Sequence, residues 1–146
     1  MKFLIYKIIF FLLLGNFLLY SQASGKIIND SEKEKYQAIV LGKITESKVK
    51  NVGNYYITEY RLKPKKWLFK NPSVKKSNYL TIKILGAELR EKGIVIKAST
   101  APDYVPIKKD TIFLLENTKR KENNIFTISK NGILPVSKLK ELKKEI

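Results

Sequence analysis

Between Ala38 and Val136 apolar and polar residues alternate mostly with the two-residue period of strands rather than the 3.6-residue period of helices. Ala38 to Thr45, AIVLGKIT, is rich in β-branched residues and predicts a first strand, with Gly42 marking a bend or bulge in its middle. Glu46 to Asn54 reads as a polar loop ending in Val52-Gly53-Asn54, where Gly53 suits the positive φ of a turn. A long strand then runs from Tyr55 to Asn71. Before Pro64 its even positions Tyr56, Tyr60 and Leu62 share one face, opposite Glu59, Arg61 and Lys63. Beyond Pro64 the apolar phase moves to the odd positions Trp67 and Phe69, which predicts that both are buried. Such a change of phase requires one extra residue in the ladder, and proline brings no N–H to it, so a bulge or sharp bend is expected at Lys63-Pro64.

Further along, Tyr79 to Leu85 predicts a strand with Leu80, Ile82 and Ile84 inward and Thr81 and Lys83 outward. Gly86 to Gly93 is polar, with room for one helical turn. Ile94 to Ala98 is another strand, and Ser99 to Pro106 a loop with two prolines. Thr111 to Glu116, TIFLLE, is almost continuously apolar, the pattern of a central strand covered on both faces. Thr118 to Asn124 is a charged hairpin loop, Ile125 to Ser129 returns from it, and Asn131-Gly132 is a tight-turn signal before Ile133 to Val136. Two short helices flank these strands. Ser31 with Glu34 three residues later fits a capping box for Ser31 to Gln37, and Ser137 caps a final amphipathic helix with Leu139, Leu142 and Ile146 on one stripe. Residues 38–136 therefore form the domain, an all-β, five- to six-stranded, partly open barrel, preceded by a leader at 24–37 and closed by the helix at 137–146.

The first 23 residues follow a different rule. Lys2 and Lys7 precede an apolar stretch from Ile8 to Leu19, and Ser21-Gln22-Ala23 places small residues where signal peptidase inspects them. Export to periplasm or medium after cleavage near Ala23 is the expectation. An uncleaved anchor is the competing reading, but its apolar run falls short of the ~20 residues that span a bilayer. With no cysteine, an exported chain has no disulfide to lean on and no thiol to carry a lipid. With no histidine either, it lacks the usual general base and the commonest transition-metal ligand. The acids Glu59, Glu88, Glu91, Asp103, Asp110 and Glu116 are scattered over strands and loops. They show neither a glycosidase pair nor a spaced calcium loop. Catalysis, a metal and a cofactor are therefore not expected.

Charge changes the picture once more. The formal net charge is +16, and 26 of the 29 basic residues are lysines. A field of that sign favours an acidic partner, nucleic acid, anionic lipid or anionic polysaccharide, and the partners expected are an envelope protein or an anionic glycan or lipid. Lysine, isoleucine and asparagine enrichment is also what an AT-rich coding sequence produces. Scarce arginine argues against dedicated bidentate phosphate recognition, and the leader directs the chain away from cytoplasmic nucleic acid. Within the long strand, Arg61, Lys63, Lys65, Lys66, Trp67 and Lys70 form the candidate ligand-binding cluster. Its lysines would meet an anionic polymer, and Trp67 would stack on a sugar or base. The competing reading buries Trp67 and Phe69 and leaves the lysines on a strand edge, where they deter sheet-to-sheet association.

The succession AIVLGKITES, a long strand ending in a Lys/Trp-rich corner before Asn71-Pro72, then LTIKILGAE, GIVIKASTAPDYVPIKKDTIFLLE and NGILPV, covers 38–136. It resembles small exported bacterial domains with an oligonucleotide/oligosaccharide-binding (OB)-type barrel. More distantly it is similar to the N-terminal domain of tissue inhibitors of metalloproteinases and to netrin-like modules. The resemblance implies an OB-like fold. The inhibitor family works through an N-terminal cysteine whose amine reaches the protease zinc, and this chain has no cysteine to match it. The expected function is an exported, non-enzymatic binding or structural module of the cell envelope. The alternative is a protein that inhibits or modulates a secreted or envelope enzyme.

Overall fold

The computed structural model describes residues 26–89, 92–118 and 123–146. The expected leader at 1–23 and its cleavage point lie outside the described residues, as do 119–122 of the charged loop. A short helix α1 (Asp30–Lys33) precedes strands β1 (Tyr36–Val52), β2 (Tyr55–Lys70), β3 (Leu80–Leu89) and β4 (Ile94–Lys97). After them come β5 (Asp110–Asn117), β6 (Ile125–Thr127) and β7 (Ile133–Leu134). A 3-10 turn (Val136–Lys138) and helix α2 (Leu139–Leu142) end the chain.

Antiparallel pairs join β1 to β2, β2 to β3, β5 to β6 and β1 to β5. A parallel pair joins β3 to β6. These five strands thus close on themselves, but only partly, because β6 meets each neighbour at just two positions. The expectation of a strand-dominated, only partly closed sheet with a short C-terminal helix holds, with seven strands rather than five or six. The additional strands are β4, which pairs only with β3, and the two-residue β7, which lies along β5.

The phase change predicted in the long strand is real and has a partner further on. Lys65 has no opposite residue in β1, because Pro64 faces Gly42 and Lys66 faces Leu41. Leu68 is skipped in the same way between Trp67 and Phe69. The first irregularity turns Trp67 inward, where it packs half-buried against the main core. The second reverses the phase again. Leu68 goes to a separate cluster on the outer face, and Phe69, opposite Ile39, is left 39 % exposed. The expectation that Phe69 is buried is therefore corrected by a second bulge.

Gly42 stands at the first of these bulges for a steric reason. A Cβ there would lie 2.6 Å from the Lys63 carbonyl oxygen and 2.9 Å from Leu62 Cδ1, closer than such atoms approach.

Other departures are local. Residues 46–52, expected as loop, continue β1, with Lys48 opposite Glu59 and Val52 opposite Tyr55 across a two-residue turn whose Gly53 has φ +65°. Backbone pairing along a hairpin needs no apolar residues, so a polar composition does not end a strand. Residues 86–89, expected as a helical turn, extend β3 and pair with β4. At the N-terminus α1 begins at Asp30 after Asn29, so Ser31 lies inside the helix and is not its cap.

The main core fills the ring with Val40, Ile44, Leu62, Leu80, Ile82, Phe113, Leu115 and their neighbours. A second core lies on the opposite face of β1 and β5, where Ile39, Ile112 and Leu114 meet Ile28, Tyr36 and Leu142. β5 is therefore covered on both faces, as its apolar run predicts. The C-terminal helix is shorter than expected. It covers this outer face rather than an end of the barrel, with Leu142 fully buried and Ile146 43 % exposed. Both Glu145 carboxylate oxygens accept backbone N–H groups, from Ile27 and Ile28, each at 2.9 Å, so the two ends of the described chain are clamped together. Those two donors hold the Glu145 carboxyl below its ordinary range.

Gly42→Ala should lower stability by about 2 kcal/mol through backbone displacement, read as a fall of about 8 °C in thermal midpoint. Glu145→Gln should be less stable than wild type at pH 7. Because the folded-state pKa is depressed, this difference is present above pH ~4.3 and vanishes as acid protonates the folded carboxyl. Paired denaturant titrations at pH 7 and pH 3 check it, and an unchanged difference at pH 3 would contradict the clamp.

Candidate functional site

The β2 strand pairs with β3 only from Ile57 to Leu62, so among the described residues its far edge carries no strand from Lys63 onward. The connection from Asn71 to Tyr79 returns alongside it and leaves an open groove lined by Lys63, Lys65, Trp67, Lys76 and Tyr79. Trp67 serves both sides, packing on the main core and lining the groove. At the mouth, the Arg61 guanidinium stacks 4.0 Å from the centroid of the Tyr79 ring and reaches Glu46 at 3.3 Å. Such a contact contributes about 0.5–1 kcal/mol at an exposed site.

On the other side of the same lysines is a second depression, lined by Lys43, Thr45, Lys63, Lys65 and Lys108. Lys43 and Lys63 are direct partners in the β1–β2 ladder. Lys65 comes from the first bulge, and Thr45 is the extra residue of a bulge in β1. Lys108 arrives from the loop before β5, its N–H bonded to the Ile44 carbonyl at 2.9 Å. Lys65 donates to the Asp110 carboxylate. That bond, aided by the charges of Lys65 and Lys43, holds Asp110 below the ordinary carboxyl range.

Of the residues singled out in the sequence, Lys63, Lys65 and Trp67 meet in one place, and Arg61 borders them through Tyr79. Lys66 is exposed but lines neither depression. Lys70 has a structural task instead. The second bulge turns it toward the main core, and its ammonium donates to the carbonyls of Asn71 (3.1 Å) and Val74 (2.6 Å). Lys43, Lys76, Tyr79 and Lys108 complete the groove and depression, although nothing local in the sequence distinguishes them from other lysines and tyrosines.

A separate cleft of about 680 Å³ opens beside the β3–β4 hairpin. It is lined among others by Tyr60, Leu85, Ile96, Tyr104 and Ile107. Burial raises the pKa of Tyr60, and the charge of Glu88 adds to that shift. Among the described residues no group of three or more His, Cys, Asp or Glu is placed to hold a metal. No family model and no curated protein matches this chain.

Lys70→Met should cost about 1–2 kcal/mol, because the Asn71 and Val74 carbonyls lose a charged donor. Denaturant unfolding measures this, and a neutral result would return Lys70 to the ligand-binding group.

Proposed function

We propose that this chain is an exported, non-enzymatic binding module that holds an anionic polysaccharide along the groove of Trp67 and Tyr79. The observation that carries the proposal is that Lys63 and Lys65 line both the aromatic groove and the lysine-rich depression beside it. An extended polymer can therefore stack its rings on one side and set its charges on the other. The two aromatic rings are held in advance, Trp67 by the core and Tyr79 by Arg61, which lowers the entropy lost on binding. A glycan is favoured over nucleic acid because the expected leader exports the chain and because Arg61 is, among the described residues, the one arginine bordering the groove. Among the described residues no helix is long and apolar enough to cross a membrane.

A second reading, a modulator of a secreted or envelope enzyme, is favoured by the exposed apolar side chains at the cleft beside the β3–β4 hairpin. There Leu85, Ile96, Tyr104 and Ile107 are 52, 44, 69 and 44 % exposed. It also agrees with the distant resemblance to protease inhibitors.

Trp67 is the only tryptophan, so its fluorescence reports on the groove directly. Titration with an acidic polysaccharide should shift or quench the emission, and a neutral one should not. Tyr79→Ala should weaken binding about tenfold, the scale of one lost stacking platform. Unchanged emission at saturating acidic polysaccharide would refute the groove as the site. Retention of one envelope protein that Tyr104→Ala releases would favour the second reading.

A further inference from the structure

We propose that Lys43, Lys63, Lys65 and Lys108 form a seat for a tetrahedral oxyanion, a phosphate or sulfate group carried by the bound polymer. The identity of the carrier rests on the polysaccharide reading above. The seat itself rests on its own geometry.

Lys43 and Lys63 are directly opposed in an antiparallel ladder, which puts their Cβ atoms about 5 Å apart. Like charges in that position repel, and neither lysine has an ion pair among the described residues. Lys65 adds a third ammonium to the same depression from the bulge, and Lys108 adds a fourth from the loop. Asp110, bonded to Lys65 and directly opposite Lys43 in the β1–β5 ladder, is the one carboxylate at the group among the described residues, so four ammonium groups meet a single carboxylate and an excess of positive charge remains. An anion seated among these ammonium groups would relieve their mutual repulsion.

The backbone at Lys108 is the second observation. Its φ is +59°, in the left-handed region where glycine and asparagine are at ease and lysine is not. The Lys108 N–H bond to Ile44 and the adjoining Ile44–Ile107 bridge hold it there. Strain of this kind persists where the surroundings impose it, and it collects at binding sites. Here it aims a lysine at three others.

The directions from which the lysines arrive speak to the shape of the anion. Separate ammonium groups act as point charges, without the bidentate planar match that arginine makes to carboxylate and phosphate alike. Point charges arriving from β1, β2 and the loop before β5 suit an anion whose charge is spread over several oxygens in three dimensions. Asp110 competes with that anion for Lys65.

The test follows backbone amide shifts of the intact protein by NMR, at constant ionic strength, during titration with sodium phosphate, sodium sulfate or sodium acetate. Phosphate and sulfate should give saturable shifts around residues 43, 63, 65 and 108, and acetate should not. Lys43→Gln and Lys108→Gly should each weaken phosphate binding about tenfold, the scale of one charged hydrogen bond, and Asp110→Asn should strengthen it. Lys108→Gly should also raise the thermal midpoint, because it removes the strain. A higher midpoint with unchanged phosphate binding would mean that the lysine there serves no anion, and the seat would be overturned. Equal shifts with acetate would overturn it too.

Phosphorylated and sulfated dextrans of equal charge density, followed by Trp67 fluorescence, then identify the source, since the more tightly bound one carries the preferred group. Dextran binding that ignores Lys43→Gln and Lys108→Gly overturns the seat while leaving the polysaccharide reading intact. Phosphate binding without dextran binding does the reverse.

Discussion

The close approach of Gly42 to the Lys63–Pro64 backbone, with Lys65 left over in the ladder beside it, is the contact on which the rest of the molecule depends. A side chain at Gly42 would drive β1 and β2 apart at the point where β1 also pairs with β5. Because the two strands meet so tightly there, the extra residue of β2 is accommodated as a bulge, and every side chain beyond it changes face. Trp67 is thereby sent to the main core and Lys66 to the outside. The second bulge at Leu68 then returns the strand to its first phase. Bulges of this kind bend a strand, and the bend lets a short sheet curl toward closure.

The curl separates two apolar compartments with β5 as the wall between them. Phe113 and Leu115 face the interior of the ring, and Ile112 and Leu114 face the outer cluster sealed by Leu142 and Ile28. Without cysteine the chain cannot staple its ends covalently, and the bonds from Ile27 and Ile28 to Glu145 provide a non-covalent substitute. On the outer face of β1 the apolar residues Ile39 and Leu41 give way to Lys43 and Thr45. The covered half of that face therefore ends where the basic half begins. Of the lysines at the candidate site, Lys43 and Lys63 are placed by ladder register, Lys65 by the bulge beside them and Lys108 by its bond to Ile44.

How much of this could be read in advance differs from element to element. The β5 strand was legible because a run buried on both faces leaves no ambiguity of phase. The first bulge was legible because proline and a shift of apolar parity coincide. Phe69 was not, since a second compensating bulge leaves no mark when the following residue is a lysine whose stem can lie on either face. Residues 46–52 looked like loop because a hairpin held by its backbone carries no hydrophobic signature. Lys70 and Lys65 are chemically identical and adjacent in pattern, yet one caps two carbonyls of a turn and the other faces Asp110.

The sequence by itself determined the strand-dominated class, the parity shift in the long strand, the absence of thiol and imidazole chemistry and the strongly basic field. Each of these depends on composition or on neighbours a few residues apart. Only the tertiary structure decided which lysines face one another. Lys43, Lys63 and Lys108 are distant along the chain and become neighbours through the β1–β2 register and the bridge from Ile44 to Ile107. Register is settled by the sum of all the pairings and by one glycine contact, so no local pattern around any of these lysines encodes it.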